Sequence, residues 1–166
     1  MKETKNLLFK KDVLQYAELM HANFFCEEST AKYMLWRTTN SVEEAKIKIL
    51  NWLQNIQNIW FVFEKITNQP IGFVSVENLQ NDRYGDIGIC LGSNFIKKGY
   101  GTEILSELLT YLNKLGAKEV EYSYLEGNIA SKKLAEKFNF KFLQKRDRFV
   151  PKYNKAIKEY VYLLNI

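Results

Sequence analysis

A chain of 166 residues that is 46% hydrophobic, 14% aromatic and 26% charged is long enough for one substantial core and too apolar for disorder. Its longest purely apolar run, Ile59 to Phe63, falls far short of the ~20 residues that span a bilayer. The N-terminus MKETKNLLFKKD lacks a signal-peptide core, so no membrane association and a cytoplasmic location are expected. The net charge of +5 is local: Ser131 to Glu159 holds ten Lys or Arg against three Asp or Glu, which suits either a solvated surface or a seat for phosphates. Cys26 and Cys90 lie far apart and are expected as reduced thiols, and with His21 they are too few for a structural zinc set. No metal site is expected.

Leu7 to Lys10 is predicted as a short strand. Asp12 and Gln15 form a capping box ahead of Val13, Tyr16, Ala17, Met20 and Phe24 at helical spacing, and Ser41 with Glu44 opens a second helix carrying Ala45, Ile49, Trp52, Leu53 and Ile56 on one face. Trp36 lies in the connection, where it either closes over a substrate or packs on the core. Trp60 to Lys65 and Ile71 to Glu77 flank the turn TNQP as an antiparallel hairpin. The stretch NLQNDRY is expected as a polar loop, followed by a strand from Asp86 to Leu91.

Next comes FIKKGYGTEIL and a helix predicted over Thr102 to Leu115, with Gly116 as its C-cap. The alternating KEVEYSYL is predicted as a strand parallel to the one before the helix. Asn128 begins a short helix over Ala130 to Phe138, and Phe140 to Phe149 with Glu159 to Leu164 form a closing antiparallel pair. Residues 1–166 therefore read as one domain of α+β class, a mixed sheet with helices on its faces.

Lys97, Lys98, Gly99, Tyr100, Gly101 and Thr102 stand where a loop enters a helix, and backbone N–H groups there can wrap a pyrophosphate. The pattern is neither a Walker loop, because Thr102 and Glu103 follow Gly101, nor the dinucleotide fingerprint, because Ile104 occupies the third glycine position. If the parallel strands splay, Ile89, Cys90 and Leu91 keep free backbone groups for an extended amide-containing ligand such as pantetheine. Asn128 and Ser131 either cap their helix or face that ligand.

In NSVEEAKIKILNWL, QPIGFVSV, GDIGICLGSNFIKKGYGTEIL, NIASKKLAEKFNF and EYVYLL, in this order and spacing, the chain resembles the GNAT superfamily of N-acyltransferases. Within it, the chain is similar to the branch that acetylates ribosomal-protein N-termini. The superfamily loop motif is Gln or Arg, two residues, Gly, any residue, then Gly or Ala; Ile96, Gly99 and Gly101 occupy these positions, and only the first departs. The resemblance implies a three-layer α/β arrangement whose mostly antiparallel sheet has a central splayed parallel pair. It further implies acetyl-CoA as cosubstrate, with its pyrophosphate on Lys97 to Thr102, pantetheine on Ile89 to Leu91, and thiol end at Asn128 and Ser131.

Direct transfer to an amine needs carbonyl polarisation, a proton donor for the thiolate and a base. A backbone N–H near Cys90 or Leu91 suits the first, and Cys90 itself is expected to pack rather than attack. Many superfamily members have a tyrosine seven residues after the asparagine; Ala135 stands there, so the resemblance to the ribosomal branch assigns the donor to Ser131. The same branch implies a carboxylate base in the following strand, where Asp147 is the nearest, and between Arg146 and Arg148 it is either that base or a structural ion pair; Asp86 and Glu103 are the fallback carboxylates, Glu103 otherwise complementing its helix start. Lys132 and Lys133 are either ribose-phosphate contacts or solvated, and His21 has no expected chemical duty.

The expected activity is N-acetylation of a primary amine, a protein N-terminus such as that of a ribosomal protein, by a monomer or homodimer. The alternatives are acetylation of a small-molecule amine (aminoglycoside, polyamine or amino acid) and a catalytically silent coenzyme A-binding module. Nucleic-acid binding through Ser131 to Glu159 has charge and aromatics but no recognition motif, so no direct nucleic-acid partner is expected.

Overall fold

The computed structural model describes Met1 and residues 3–166. Seven strands form one sheet in the order β1-β2-β3-β4-β5-β7-β6: β1 Leu7–Lys10, β2 Ile59–Glu64, β3 Gln69–Gln80, β4 Arg83–Leu91, β5 Glu119–Leu125, β6 Lys141–Val150 and β7 Lys155–Asn165. Every neighbouring pair is antiparallel except β4 and β5, which are parallel. The five α-helical segments are α1 Ala17–Met20, α2 Glu28–Ala31, α3 Val42–Asn55, α4 Tyr100–Lys114 and α5 Ile129–Lys137. None is long and apolar enough to cross a membrane among the described residues.

Strand β2 is buried along its whole length, and its period of two divides the core. Trp60 and Val62 join Ile104, Leu105, Leu108 and Leu112 of α4 on one face of the sheet. Ile59, Phe61 and Phe63 join Met20, Phe24, Ala45 and Ile49 on the other, beneath the first helical segment and α3. Helices thus cover both faces, and the central strands are apolar on both sides because each side meets a helix layer.

The Ser41 cap forms as expected, its Oγ accepting from Glu44 N–H at 3.2 Å, while Glu44 reaches back to Asn40 N–H at 2.8 Å. The end of α4 is a Schellman turn: Gly116 N–H donates to Asn113 O and Ala117 N–H to Leu112 O. The first helix differs from its predicted form. No side chain caps its start; a 3-10 turn (Leu14–Tyr16) leads into α1 and then into a π turn, His21–Phe25. The wider turn lets consecutive Phe24 and Phe25 both reach the core, which regular helical spacing alone would not require. The stretch NLQNDRY is no loop either. β3 and β4 run on as a long hairpin through Gln80 and Arg83, closed by Asn81 and Asp82 at φ 52° and 59°, the left-handed pair of a tight hairpin turn.

Candidate active site

Strands β4 and β5 pair only at Arg83 with Glu119 and Tyr84 with Val120. Immediately afterwards the β3 register shifts: Glu77 faces Gly85 and Ser75 faces Gly88, so β4 carries one extra residue. Asp86 lies in this bulge at φ +48°. A bulge bends its strand and re-aims side chains, and this one turns β4 away from β5 while β5 continues its ladder with β7 from Glu119 to Leu125. The divergence leaves a cavity of about 430 Å³.

The cavity passes through the sheet. On the side of α5 it is walled by Ile89, Tyr122, Asn128 and Ser131; on the side of α3 by Trp36, Trp52 and Phe73. Asn128 Oδ1 accepts from Ser131 N–H at 3.2 Å, capping α5 and fixing Ser131 one turn away. Burial raises the Tyr122 phenol, and the neighbouring Ser131 opposes that rise in part. Ala135, where many superfamily members have tyrosine, is fully buried in the core beneath α5. Cys90 points to the α3 face, buried, and desolvation pushes its thiol far above the ordinary range, as suits a packing residue.

Three carboxylates meet the same cavity: Glu77, Asp86 and Glu159. Asp86 is 3.3 Å from Arg148. Glu159 accepts from Ser123 Oγ at 3.0 Å and from Arg146 Nε at 2.5 Å, and Arg146 also stands 3.5 Å from Glu121, itself 2.8 Å from Arg83. Asp147 is not part of this group. It is exposed and paired with Lys158 at 2.7 Å, while its neighbour Arg148 lines the cavity. The reason is a bulge in β6 between Phe142 and Gln144, after which every side chain is shifted by one position; without it Asp147 would share the face of Glu159. Glu103 is likewise committed elsewhere, accepting from Thr4 Oγ1, Asn6 N–H and Asn6 Nδ2.

The glycine loop follows a 3-10 turn, Ser93–Phe95. Lys97 at φ +61° and Gly99 at φ +85° turn the chain into α4, and no side chain caps that helix. A side chain at Gly99 would have to adopt the left-handed region, which glycine enters without strain. A Cβ built on Gly99 or Gly101 meets nothing within 4 Å, so the backbone here borders open space, with Lys97 and Lys98 exposed beside it. Uncapped N–H donors, the positive end of α4 and two lysines fit a pyrophosphate. Tyr100 anchors the loop from behind: its hydroxyl donates to Glu64 Oε1 at 2.5 Å, which holds the Glu64 carboxyl low and pushes the phenol up to about 12. Lys98 lies 3.8 Å from the same carboxylate, and Lys137 of α5 donates to Thr102 Oγ1 at 3.3 Å. Lys132 and Lys133 are exposed, and Lys132 stands 3.8 Å from Glu136.

The structure therefore gathers Ile89, Asn128 and Ser131 at the cavity, with Cys90 and Leu91 further along the same strand, and presents Lys97 to Thr102 at the α4 terminus. Sequence reasoning missed Tyr122, Glu159 and the Asp86–Arg148 pair. Tyr122 was visible in the alternation of β5, but its meeting with Ser131 depends on how α5 folds back. His21 has a structural duty, its Nδ1 lying 2.7 Å from Thr39 Oγ1.

Comparison with known proteins agrees with this fold. An acetyltransferase (GNAT family) from Bacillus anthracis superposes with a TM-score of 0.84 at 18% identity, covering 98% of this chain and 96% of that one. The microcin C7 self-immunity acetyltransferase MccE, solved with acetyl-CoA and AMP, gives 0.84 at 20% identity over 98% and 94%. A Salmonella typhimurium acetyl transferase that modifies the N-terminal serine of ribosomal protein L7/L12 gives 0.80 at 16% identity over 98% and 96%. An uncharacterized protein of Methanocaldococcus jannaschii is 33% identical over 98 residues, 57% of this chain, and the match spans only 20% of that longer protein. Residues 7–141 match the acetyltransferase (GNAT) domain, and the chain belongs to that family of acetyltransferases.

Proposed function

We propose that the protein transfers acetyl from acetyl-CoA to the α-amine of a protein N-terminus. The observation that carries this choice of acceptor is the path beyond the cavity. Tyr33 lines both the cavity and a second depression of about 440 Å³ formed with Lys32, Leu125, Glu126, Tyr153 and Lys155. A chain whose first residue fills the cavity has somewhere to continue, which a compact amine does not need.

Acetyl-CoA supplies an activated acyl group on a thiol leaving group. Backbone N–H groups of Lys97 to Thr102 bind its pyrophosphate, and the open edge of β4 at Ile89, Cys90 and Leu91 pairs with the pantetheine amides, leaving a backbone N–H to polarise the carbonyl. Asn128 orients Ser131, and Ser131, beside Tyr122 in the cavity lining, donates toward the sulfur as the C–S bond breaks. Asp86, on the β4 bulge, takes the proton that the amine loses as the C–N bond forms; Asp147 is replaced in this role because it faces away. Ribosomal-protein N-termini are one instance of this acceptor class.

The test is thiol release from acetyl-CoA with N-terminal peptides, aminoglycosides and polyamines, alongside a coenzyme titration. Release with peptides supports the reading. Release only with small amines would instead favour the small-molecule alternative, with which the cavity volume is also compatible.

A further inference from the structure

The acceptor half of the cavity has a wall that the transfer chemistry does not use. The connection between α2 and α3 brings Tyr33, Met34, Leu35 and Trp36 against α3 and β3, where Trp52, Ile56 and Phe73 complete the surface. Three rings form its centre: Trp36 and Trp52 lie 6.0 Å apart, Trp36 and Phe73 6.3 Å, and Trp52 and Phe73 4.8 Å. Leu35 at the rim remains 43% exposed, an apolar side chain the core does not claim.

This segment is fixed in place. Tyr33 donates its hydroxyl to Gly127 O at 2.9 Å, Thr39 N–H donates to Phe25 O at 2.9 Å, and Lys48 Nζ donates to Arg37 O at 2.8 Å. Lys48 also sits 5.0 Å from the Trp36 ring centre and 5.5 Å from that of Trp52, bracing the pair. The wall is therefore pre-formed, and its shape can discriminate between acceptors.

Beyond Phe73 on the same face of β3 the lining turns polar, with Ser75 and Glu77, and Asp86 follows on the β4 bulge. Asp86 is paired with Arg148, whereas Glu77 makes no ion pair among the described residues, which leaves its side chain open to an incoming amine. Carboxylates and aromatic surface adjoining along one wall describe an amine that stands directly beside a bulky apolar group. A polyamine or a small hydrophilic first residue would leave the rings wetted.

We propose that this wall selects N-termini whose first residue is large and apolar, of the leucine, methionine or phenylalanine kind, and that Trp36 is the residue that determines the selection. The inference rests on the N-terminal acceptor reading above. Burial of such a side chain against the rings is expected to raise kcat/KM roughly 10–100-fold over serine or glycine.

The experiment compares thiol release from acetyl-CoA with peptides identical after residue one, which is Leu, Met, Phe, Ser, Gly or Asp, using wild type, Trp36→Ala and Leu35→Ser. Coenzyme titration on each variant reports that the fold and the donor site are intact. The expected result is a preference for the apolar set that collapses in Trp36→Ala and weakens in Leu35→Ser, whose exposed position makes loss of folding no obstacle. Equal or better turnover of Ser and Gly peptides, or a preference both variants keep, overturns the inference while leaving N-terminal acetylation standing. Turnover of polyamines or aminoglycosides with no peptide overturns the N-terminal reading itself, and the selection with it.

Discussion

Arg148 Nη2 stands 3.3 Å from Asp86 Oδ2, joining β6 to the bulge of β4 across 62 residues of chain. The pair spans the place where β4 leaves β5, so the carboxylate proposed as base is held at the cavity by a residue from the far edge of the sheet. Asp86→Asn is expected to lower kcat by about 100-fold or more while coenzyme affinity stays within a factor of two or so. Asp147→Asn should leave kcat within about twofold, since that carboxylate pairs with Lys158 on the other face. Steady-state kinetics on the two variants decide the assignment, and the reverse pattern would return the base to Asp147.

At the sulfur end, Ser131 and Tyr122 both line the cavity, and either hydroxyl is close to the proposed path of the thiolate. With Ser131 as donor, Ser131→Ala should reduce kcat about 10–100-fold with a smaller change in KM for acetyl-CoA, and Tyr122→Phe should cost less. A larger loss in Tyr122→Phe would transfer the role to the phenol.

The glycine loop makes a separate prediction. Gly99 has φ +85° with open space around its Cβ position, so Gly99→Val meets backbone strain rather than a clash and intrudes into the proposed phosphate site. Coenzyme affinity should fall at least about tenfold, and stability by about 1–2 kcal/mol. Isothermal titration and thermal unfolding read the two effects; unchanged affinity would remove the loop from the coenzyme site.

The Tyr100–Glu64 hydrogen bond has a pH signature. Glu64 is held below its ordinary 4.5, first by Tyr100, so its contribution to stability is present above 4.5 and lost as pH falls through the lower folded value. Tyr100 is raised from 10.0 to about 12, so its contribution is complete below pH 10 and lost as pH rises through 12. The Tm difference between wild type and Tyr100→Phe should be widest at neutral pH and narrow on both sides. A difference independent of pH from 3 to 8 would show that the ring, not the hydroxyl, carries the stabilisation.

Cys26 is exposed and Cys90 buried, with desolvation holding the latter as a thiol. A disulfide-exchange reagent at pH 8 should titrate one thiol in the folded protein and two after denaturation. Cys90→Ala should retain turnover, as direct attack on the thioester requires; loss of turnover with coenzyme still bound would point to an acyl-enzyme route.

Much of the architecture was readable in one dimension. Alternation in KEVEYSYL gave β5, the Ser41–Glu44 spacing gave the start of α3, and the order strand, glycine loop, helix, strand gave the parallel pair. These signals are local, arising from side chains within a few residues of one another. The tight turn at Asn81 and Asp82 was hidden inside a polar run, because residues that favour loops also favour left-handed hairpin turns.

The sequence by itself determined the mixed sheet, the loop before α4 and the asparagine-capped helix after β5, since periodicity, caps and glycine placement are properties of neighbouring residues. Only the tertiary structure decided which carboxylate faces the cavity. Two bulges, one at Asp86 and one between Phe142 and Gln144, set the registers of β4 against β3 and of β6 against β7, and a shift of one residue turns a side chain to the opposite face. Asp86 and Arg148 are brought to the site in that way, and Asp147 is turned from it.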